Sequence, residues 1–88
     1  MATTIEKLAS LDKWRQLNQL QEECGEVIAA VNRLRRNKKE AYNLLCEEIA
    51  DLRIIMSQME FILDKKMIDK YYSEKISRIE ERLTNGKL

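Results

Sequence analysis

The sequence predicts an all-α protein, an antiparallel bundle of about four helices that is completed by oligomerisation. Proline is absent from the 88 residues, glycine occurs twice, and charged residues make up 35% of the chain. In the longer segments, apolar residues recur at three- and four-residue steps, which is the period of an α-helix. This composition is typical of helical proteins and argues against a β-sandwich or a barrel. The segments between the predicted helices are short, so neighbouring helices should run antiparallel.

Four helices are predicted in order along the chain. Their approximate ranges are 4–11, 12–36, 40–64 and 66–83. The first is a short lead-in, with Thr3 or Thr4 as its cap and Ser10 as the cap of a restart. On the second helix, the predicted apolar stripe comprises Leu17, Leu20, Cys24, Val27, Val31 and Leu34. The fourth helix ends before Asn85–Gly86, a pair that favours a helix terminus.

The third predicted helix is apolar on more than one side. Its broad face includes Leu52, Ile55 and Met59, while Ile54 and Phe61 lie on another face. A helix that is apolar nearly all round is buried nearly all round. Three other short helices in one chain of this length can hardly enclose it. We therefore expect a homo-oligomer, with a second copy covering the remaining face.

Length and composition exclude several kinds of protein. Residues 1–88 form one small domain, and a domain of this size buries little more than half of its unfolded surface. Histidine is absent, which excludes His–zinc sites and imidazole catalysis. The net charge of +1 gives no reason to expect a general nucleic-acid binder.

The sequence also predicts a cytoplasmic protein. No apolar run reaches the roughly 18 residues that a membrane span needs. The first ten residues, MATTIEKLAS, lack the apolar core of a signal peptide. Cys24 and Cys46 should therefore stay reduced, and we interpret them as small buried hydrophobic residues.

Four acidic residues form the candidate site. Glu23 and Glu26 are three residues apart on the second helix. Glu48 and Asp51 repeat that spacing on the third. A three-residue step places each pair on one helix face, and Glu48 projects among apolar residues, which is uncommon for a carboxylate. With the two helices antiparallel, the four carboxylates should converge in a partly buried cleft.

Such a cluster requires either protons or a cation. Two like charges about 5 Å apart repel by roughly 3 kcal/mol at an effective dielectric near 20. Oxygen ligands without His or Cys favour a hard ion, Mg²⁺ or Mn²⁺. Mg²⁺ often joins protein carboxylates to substrate phosphates, which points to phosphate chemistry. The alternative is a chance pattern, because glutamate is common in helices.

The sequence segments around these carboxylates resemble those of the MazG-like nucleoside triphosphate pyrophosphohydrolases, particularly their short, phage-type members. From Trp14 the chain reads WRQLNQLQEECGEVIAAVNRLRR, and from Leu44 it reads LLCEEIADLRIIMSQ. The family pattern is E-x-x-E, a gap, then E-x-x-D, which the four acidic residues match. A family-like Lys75-x-x-Arg78 follows on the fourth helix. The likeness covers about residues 12–83.

The resemblance implies helical dimers or tetramers that bind Mg²⁺ (Mn²⁺ also fits). It implies cleavage of a nucleoside or deoxynucleoside triphosphate between the α- and β-phosphates, which releases pyrophosphate. The residues it assigns to the metal and to catalysis are Glu23, Glu26, Glu48 and Asp51. The residues it assigns to the substrate are Lys75 and Arg78 at the phosphates, and Gln19 and Trp14 near the nucleoside.

Two other functions stay open on the sequence. One is a non-catalytic helical interaction module on the same scaffold. The other is a nucleic-acid binder that uses a basic turn, although basic residues at a helix end also complement the helix dipole. That turn contains Arg33, Arg35, Arg36, Lys38 and Lys39. The intact set of four carboxylates favours the hydrolase, with no membrane partner.

Overall fold

A computed structural model describes residues 1–36 and 39–87 of the chain. Its four helices are α1 (Thr4–Ala9), α2 (Lys13–Arg35), α3 (Glu40–Ile62) and α4 (Lys65–Thr84). No strand occurs in the described residues, so the all-α prediction is confirmed. Over the same residues, no helix has both the length and the apolar character needed to cross a bilayer.

Side-chain caps determine where the first two helices begin. The Thr3 hydroxyl accepts a hydrogen bond from the Glu6 N–H, and the Glu6 carboxylate accepts one from the Thr3 N–H, both at 3.1 Å. This reciprocal pair is a capping box. The expectation that Ser10 caps the restart is wrong. Ser10 is the C-cap of α1, whereas the Asp12 carboxylate accepts from the Arg15 N–H at 2.9 Å and begins α2.

The Asn85–Gly86 pair ends α4 as the sequence predicts. Gly86 has a φ of 66°, a left-handed conformation that favours glycine. Its N–H donates to the Leu83 carbonyl at 3.2 Å, and the Lys87 N–H donates to the Arg82 carbonyl at 2.8 Å. These two bonds form a Schellman motif, which satisfies carbonyls that the helix end leaves free.

Helices α2 and α3 form an antiparallel hairpin. Gln16, near the start of α2, bonds Gln58, near the end of α3. Ala30 and Ala41 are buried near the connection between the two helices. Small side chains let the helix backbones approach closely there. The turn residues Asn37 and Lys38, which the sequence assigns to the connection, lie outside the described residues.

The buried line along α2 follows the predicted stripe in part, since Leu17, Leu20, Val27 and Leu34 are half-buried. Glu23 and Ala30 turn inward, whereas Cys24 and Val31 are exposed. Cys46 on α3 is exposed as well, so the interpretation of both cysteines as buried is wrong for this chain. The reason is geometric: neighbouring positions on a helix point about 100° apart, so a small rotation exchanges them.

Helix α4 leaves the hairpin and buries none of its side chains. The chain has a radius of gyration of 16.4 Å, whereas a compact domain of this length has about 12 Å. Within the described residues, the buried apolar side chains are Ala30, Ala41, Ile55 and Met59. The core is therefore small, and it belongs to α2 and α3.

Because α2 and α3 pack closely at Ala30, the effect of a larger side chain on stability should depend on its position along α2. Ala30 is 1% exposed, so Ala30→Leu should force the hairpin apart and destabilise the chain by roughly 1–3 kcal/mol. The neighbouring Ala29 is exposed, and Ala29→Leu should leave stability nearly unchanged. Urea unfolding followed by circular dichroism measures both. Equal effects of the two variants would contradict this packing.

Candidate metal centre

Three of the four predicted carboxylates meet in the middle of the hairpin. Glu23 lies on α2, and Glu48 and Asp51 lie on α3 one turn apart. One oxygen from each lies within 4.8 Å of the others. Glu23 and Glu48 are half-buried, and Asp51 is exposed. The antiparallel hairpin therefore brings acidic residues from two helices to one point at the edge of the core.

Glu23 is held in place with one oxygen left unpaired. The Gln19 amide N–H donates to Glu23 Oε1 at 2.5 Å, one helical turn away. Glu23 Oε2 is buried and has no hydrogen-bond partner. An unpaired buried carboxylate oxygen is costly, because burial removes its water. A cation bound at this oxygen would remove that penalty.

The electrostatics of Glu48 indicate the same requirement. Partial desolvation is the largest factor that raises the pKa of the Glu48 carboxyl. The charges of Glu26, Asp51, Glu23 and Glu47 raise this pKa further, in that order. All of these charges are negative, so the described residues provide no compensating cation. The cluster thus favours either a proton on Glu48 or a bound positive ion.

The donor set fits Mg²⁺. Octahedral Mg²⁺ binds oxygen at 2.0–2.1 Å, so opposite ligand atoms lie about 4.2 Å apart. The three carboxylates already have oxygens within 4.8 Å of one another, so small side-chain adjustments would complete the geometry. Carboxylate oxygens suit Mg²⁺ and Mn²⁺ better than softer metals.

The remaining predicted site residues lie at different distances from this cluster. Glu26 is exposed one turn after Glu23, and its charge contributes to the raised pKa of Glu48. Trp14 is 70% exposed. Lys75 and Arg78 line a shallow groove on α4 with Ile79 and Arg82. Within the described residues of one chain, the structure does not bring these two basic side chains into the acidic cluster.

The described residues of the basic turn lie where α2 ends and α3 begins. Arg33 and Arg35 occupy the last turn of α2, where their charges complement the helix dipole. Arg36 is the C-cap residue of that helix. Lys38, which the nucleic-acid hypothesis also uses, lies outside the described residues.

The structure adds a cavity that the sequence did not predict. A space of about 210 Å³ opens between α1, α2 and α3, and Gln16, Gln19 and Gln58 line it. Gln19 also donates to Glu23, so the cavity and the acidic cluster share one side chain. A sequence signal existed: Gln16 lies four residues before Leu20, and Gln58 lies three residues after Ile55. A polar residue in line with apolar ones is uncommon and marks a buried hydrogen bond.

Comparisons with protein-family models, with curated proteins and with solved structures found no match to this chain. The arguments about function therefore rest on the residues and on the geometry of the hairpin.

Neutralising Glu48 should stabilise the metal-free protein. Because its pKa is raised, the folded state takes up a proton more readily than the unfolded state. The penalty is full above the raised pKa and disappears as the pH falls below the ordinary carboxyl pKa. Glu48→Gln should therefore raise the melting temperature at neutral pH without Mg²⁺, and this gain should shrink as the pH is lowered.

The matched control is Glu22→Gln, which removes an exposed carboxylate on α2. This variant should melt like the wild type, measured by circular dichroism at neutral and acidic pH. Mg²⁺ should raise the melting temperature of the wild type, because it binds only the folded state. It should have little effect on Glu48→Gln. A metal-free Glu48→Gln variant that melts below the wild type would contradict a strained carboxylate cluster.

Proposed function

We propose that the protein is an Mg²⁺-dependent nucleoside triphosphate pyrophosphohydrolase. The observation that carries this proposal is the cluster of Glu23, Glu48 and Asp51 on two antiparallel helices, with one buried oxygen unpaired. The cluster provides an oxygen-only donor set for a hard cation, and such cations bind phosphate substrates. The sequence resemblance to MazG-like enzymes supports the same reaction.

Each acidic residue has a separate part in the proposed reaction. Glu23, Glu48 and Asp51 would hold Mg²⁺, which when bound neutralises phosphate charge and polarises the α-phosphorus. Glu26 lies outside the cluster and is exposed beside it. We assign to it the orientation of the attacking water and the acceptance of its proton. The water oxygen bonds to the α-phosphorus, the bond to the bridging α–β oxygen breaks, and pyrophosphate leaves.

The nucleoside would occupy the cavity beside the cluster. Gln19 lines this cavity and contacts Glu23, so a substrate held there would present its phosphates to the acidic residues. Arg15 lines the same cavity and carries positive charge. The cavity of about 210 Å³ is smaller than the roughly 300–1,000 Å³ typical of sites that enclose a whole small molecule. It therefore suits the base, with the triphosphate outside.

We also propose that the working form is a homo-oligomer, a dimer or a tetramer. An apolar stripe runs along α4 with every member exposed; its residues are Ile68, Tyr72, Ile76, Ile79 and Leu83. The exposed apolar residues of α3 include Ile54 and Phe61. Acidic residues outnumber basic ones on α3, and the reverse holds on α4. Helix α4 of one copy would thus complement α3 of another and bring Lys75 and Arg78 towards bound phosphates.

The cytoplasm is the proposed compartment. The exposed thiols of Cys24 and Cys46 are unpaired, and the reducing cytoplasm keeps such thiols free. Cellular nucleoside triphosphates provide the substrate pool there.

Pyrophosphate release tests the reaction directly. With Mg²⁺ and a panel of deoxynucleoside and ribonucleoside triphosphates, the wild type should release pyrophosphate and the matching monophosphate. Asp51→Asn and Glu48→Gln should each lower kcat by about a hundredfold or more, since each removes a metal ligand. EDTA should abolish turnover. Coupled phosphate detection and chromatography of the nucleotide products give the measurement.

The control for these variants is again Glu22→Gln, which should keep full activity. Circular dichroism must show that the inactive variants remain folded. Turnover that persists in EDTA would remove the metal from the mechanism. If no triphosphate is cleaved, the hydrolase proposal fails, and the exposed α4 favours the non-catalytic interaction module.

The oligomer is tested by placing a charge on α4. Ile79→Lys should disrupt the proposed contact, because an unpaired charge in an apolar interface is strongly unfavourable. Ser77→Lys adds the same charge to a different face of the helix and serves as the control. Light scattering coupled to gel filtration should report a dimer or tetramer for the wild type and for Ser77→Lys, and a monomer for Ile79→Lys. A monomeric wild type would contradict this assembly.

A further inference from the structure

Two buried glutamines beside the acidic cluster form a chain of oriented amides. Gln16 is 3% exposed and Gln58 is 6% exposed, although they lie 42 residues apart in sequence. Both line the cavity of about 210 Å³ between α1, α2 and α3. Buried side-chain amides are held by hydrogen bonds, and each bond restricts which atom of the amide faces which neighbour.

Backbone carbonyls determine the orientation of Gln16. Its Nε2 donates to the Leu11 carbonyl at 2.8 Å and to the Ala9 carbonyl at 3.1 Å. A carbonyl only accepts, so the nitrogen of Gln16 must face this end of α1. The Oε1 atom of Gln16 therefore points in the other direction, towards Gln58. The orientation follows from the chemistry of the two carbonyls.

The orientation of Gln58 follows from that of Gln16. Gln58 Nε2 donates to Gln16 Oε1 at 2.9 Å. An amide oxygen also only accepts, so Gln58 must present its nitrogen to Gln16. Among the described residues, Gln58 makes its hydrogen bond through the nitrogen, and its carbonyl oxygen accepts none. That oxygen is not among the buried atoms left without a partner, so it remains accessible to a ligand. The chain of amides thus ends in a fixed acceptor on a side chain that lines the cavity.

The other lining residues provide the rest of a recognition site for a flat heterocycle. Leu8, Leu11 and Ile55 give apolar walls, and such walls contact ring faces. Arg15 provides guanidinium N–H donors at the same cavity. Gln19 uses its N–H to bond Glu23, which joins the cavity to the acidic cluster. The Gln58 oxygen is thus a fixed acceptor, and the Arg15 guanidinium offers donors at the same cavity. This combination matches a base edge that carries an N–H group beside a carbonyl or a ring nitrogen.

We propose that Gln58, oriented by Gln16, is the residue that selects the base of the substrate, by accepting a hydrogen bond from an N–H on the base edge. This inference rests on the proposed function, since it names the substrate contact of the same site. Gln16 is a positioning residue, because it acts only through Gln58. A base with a lone pair or a methyl group at that place is rejected, since binding it would cover the acceptor of Gln58 and leave that acceptor unpaired.

The test compares each base with an analogue whose edge donors are methylated. The pairs are dTTP with N3-methyl-dTTP, dGTP with N1-methyl-dGTP, dCTP with N4,N4-dimethyl-dCTP, and dATP with N6,N6-dimethyl-dATP. For the best substrate, the wild type should prefer the parent over its analogue by about tenfold or more in kcat/KM. Gln58→Leu should reduce this ratio to about twofold or less.

The Gln16→Met variant distinguishes a role of Gln16 in orienting Gln58 from a purely structural role. It keeps Gln58 but frees its amide to rotate, so the preference for the parent should fall as in Gln58→Leu. A merely structural role would lower the activity on parent and analogue equally and leave their ratio unchanged. Gln21→Leu, at an exposed glutamine on α2, is the matched control and should keep the ratio. If Gln58→Leu does not fold, the double variant Gln16→Leu/Gln58→Leu removes both partners together, which is better tolerated.

A second measurement needs neither metal nor turnover. The side-chain amide signals of Gln16 and Gln58 in NMR spectra should shift when millimolar thymidine, deoxyguanosine, deoxycytidine or deoxyadenosine is added without Mg²⁺. Shifts without pyrophosphate release from any triphosphate would defeat the hydrolase proposal and support this one. Hydrolysis in which parent and analogue react alike, or a ratio that Gln58→Leu leaves unchanged, would overturn base selection by Gln58 and leave the hydrolase standing.

Discussion

Like charges held at the edge of a small core are the constraint on which the rest of this protein depends. Glu23 and Glu48 face each other across the α2–α3 hairpin, and Glu23 keeps one buried oxygen without a partner. A chain with so few fully buried side chains has little stability to offset such repulsion. Natural sequences accept unfavourable groups chiefly where function requires them. The cation and the anionic substrate proposed above would offset this repulsion.

The hairpin joins this strained cluster to a buried pair of hydrogen-bonded amides. Gln16 and Gln58 are more deeply buried than any of the three carboxylates, yet both amides are hydrogen-bonded. Gln19 lies between the two features, since it lines the cavity and donates to Glu23. The hydrogen-bonded amides and the acidic cluster thus occupy adjacent turns of α2. In the proposed reaction, this arrangement would hold a base in one orientation while its phosphates reach the acidic residues.

Helix α4 differs from the α2–α3 hairpin because it has no buried side chain. Its ends are well determined by Asp64, whose carboxylate accepts from the Met67 N–H at 3.1 Å, and by the Schellman motif at Gly86. Within the described residues, no side chain of its apolar stripe is buried. Isolated helices of this length are only marginally stable in water, and helices gain most of their stability from packing. In the assembly proposed above, a second copy of the chain would cover α4 and the exposed face of α3.

The sequence by itself determined the features that depend on neighbouring residues. Helical periodicity, the Asn85–Gly86 terminus and the paired spacing of Glu23 with Glu26 and of Glu48 with Asp51 are local, so they can be read along the chain. The tertiary structure decided the rotation of α2, which turns Glu23 inward and Cys24 outward. It also decided that Gln16 meets Gln58, and that α4 leaves the hairpin. These features depend on packing between distant residues, where one step along a helix changes direction by about 100°.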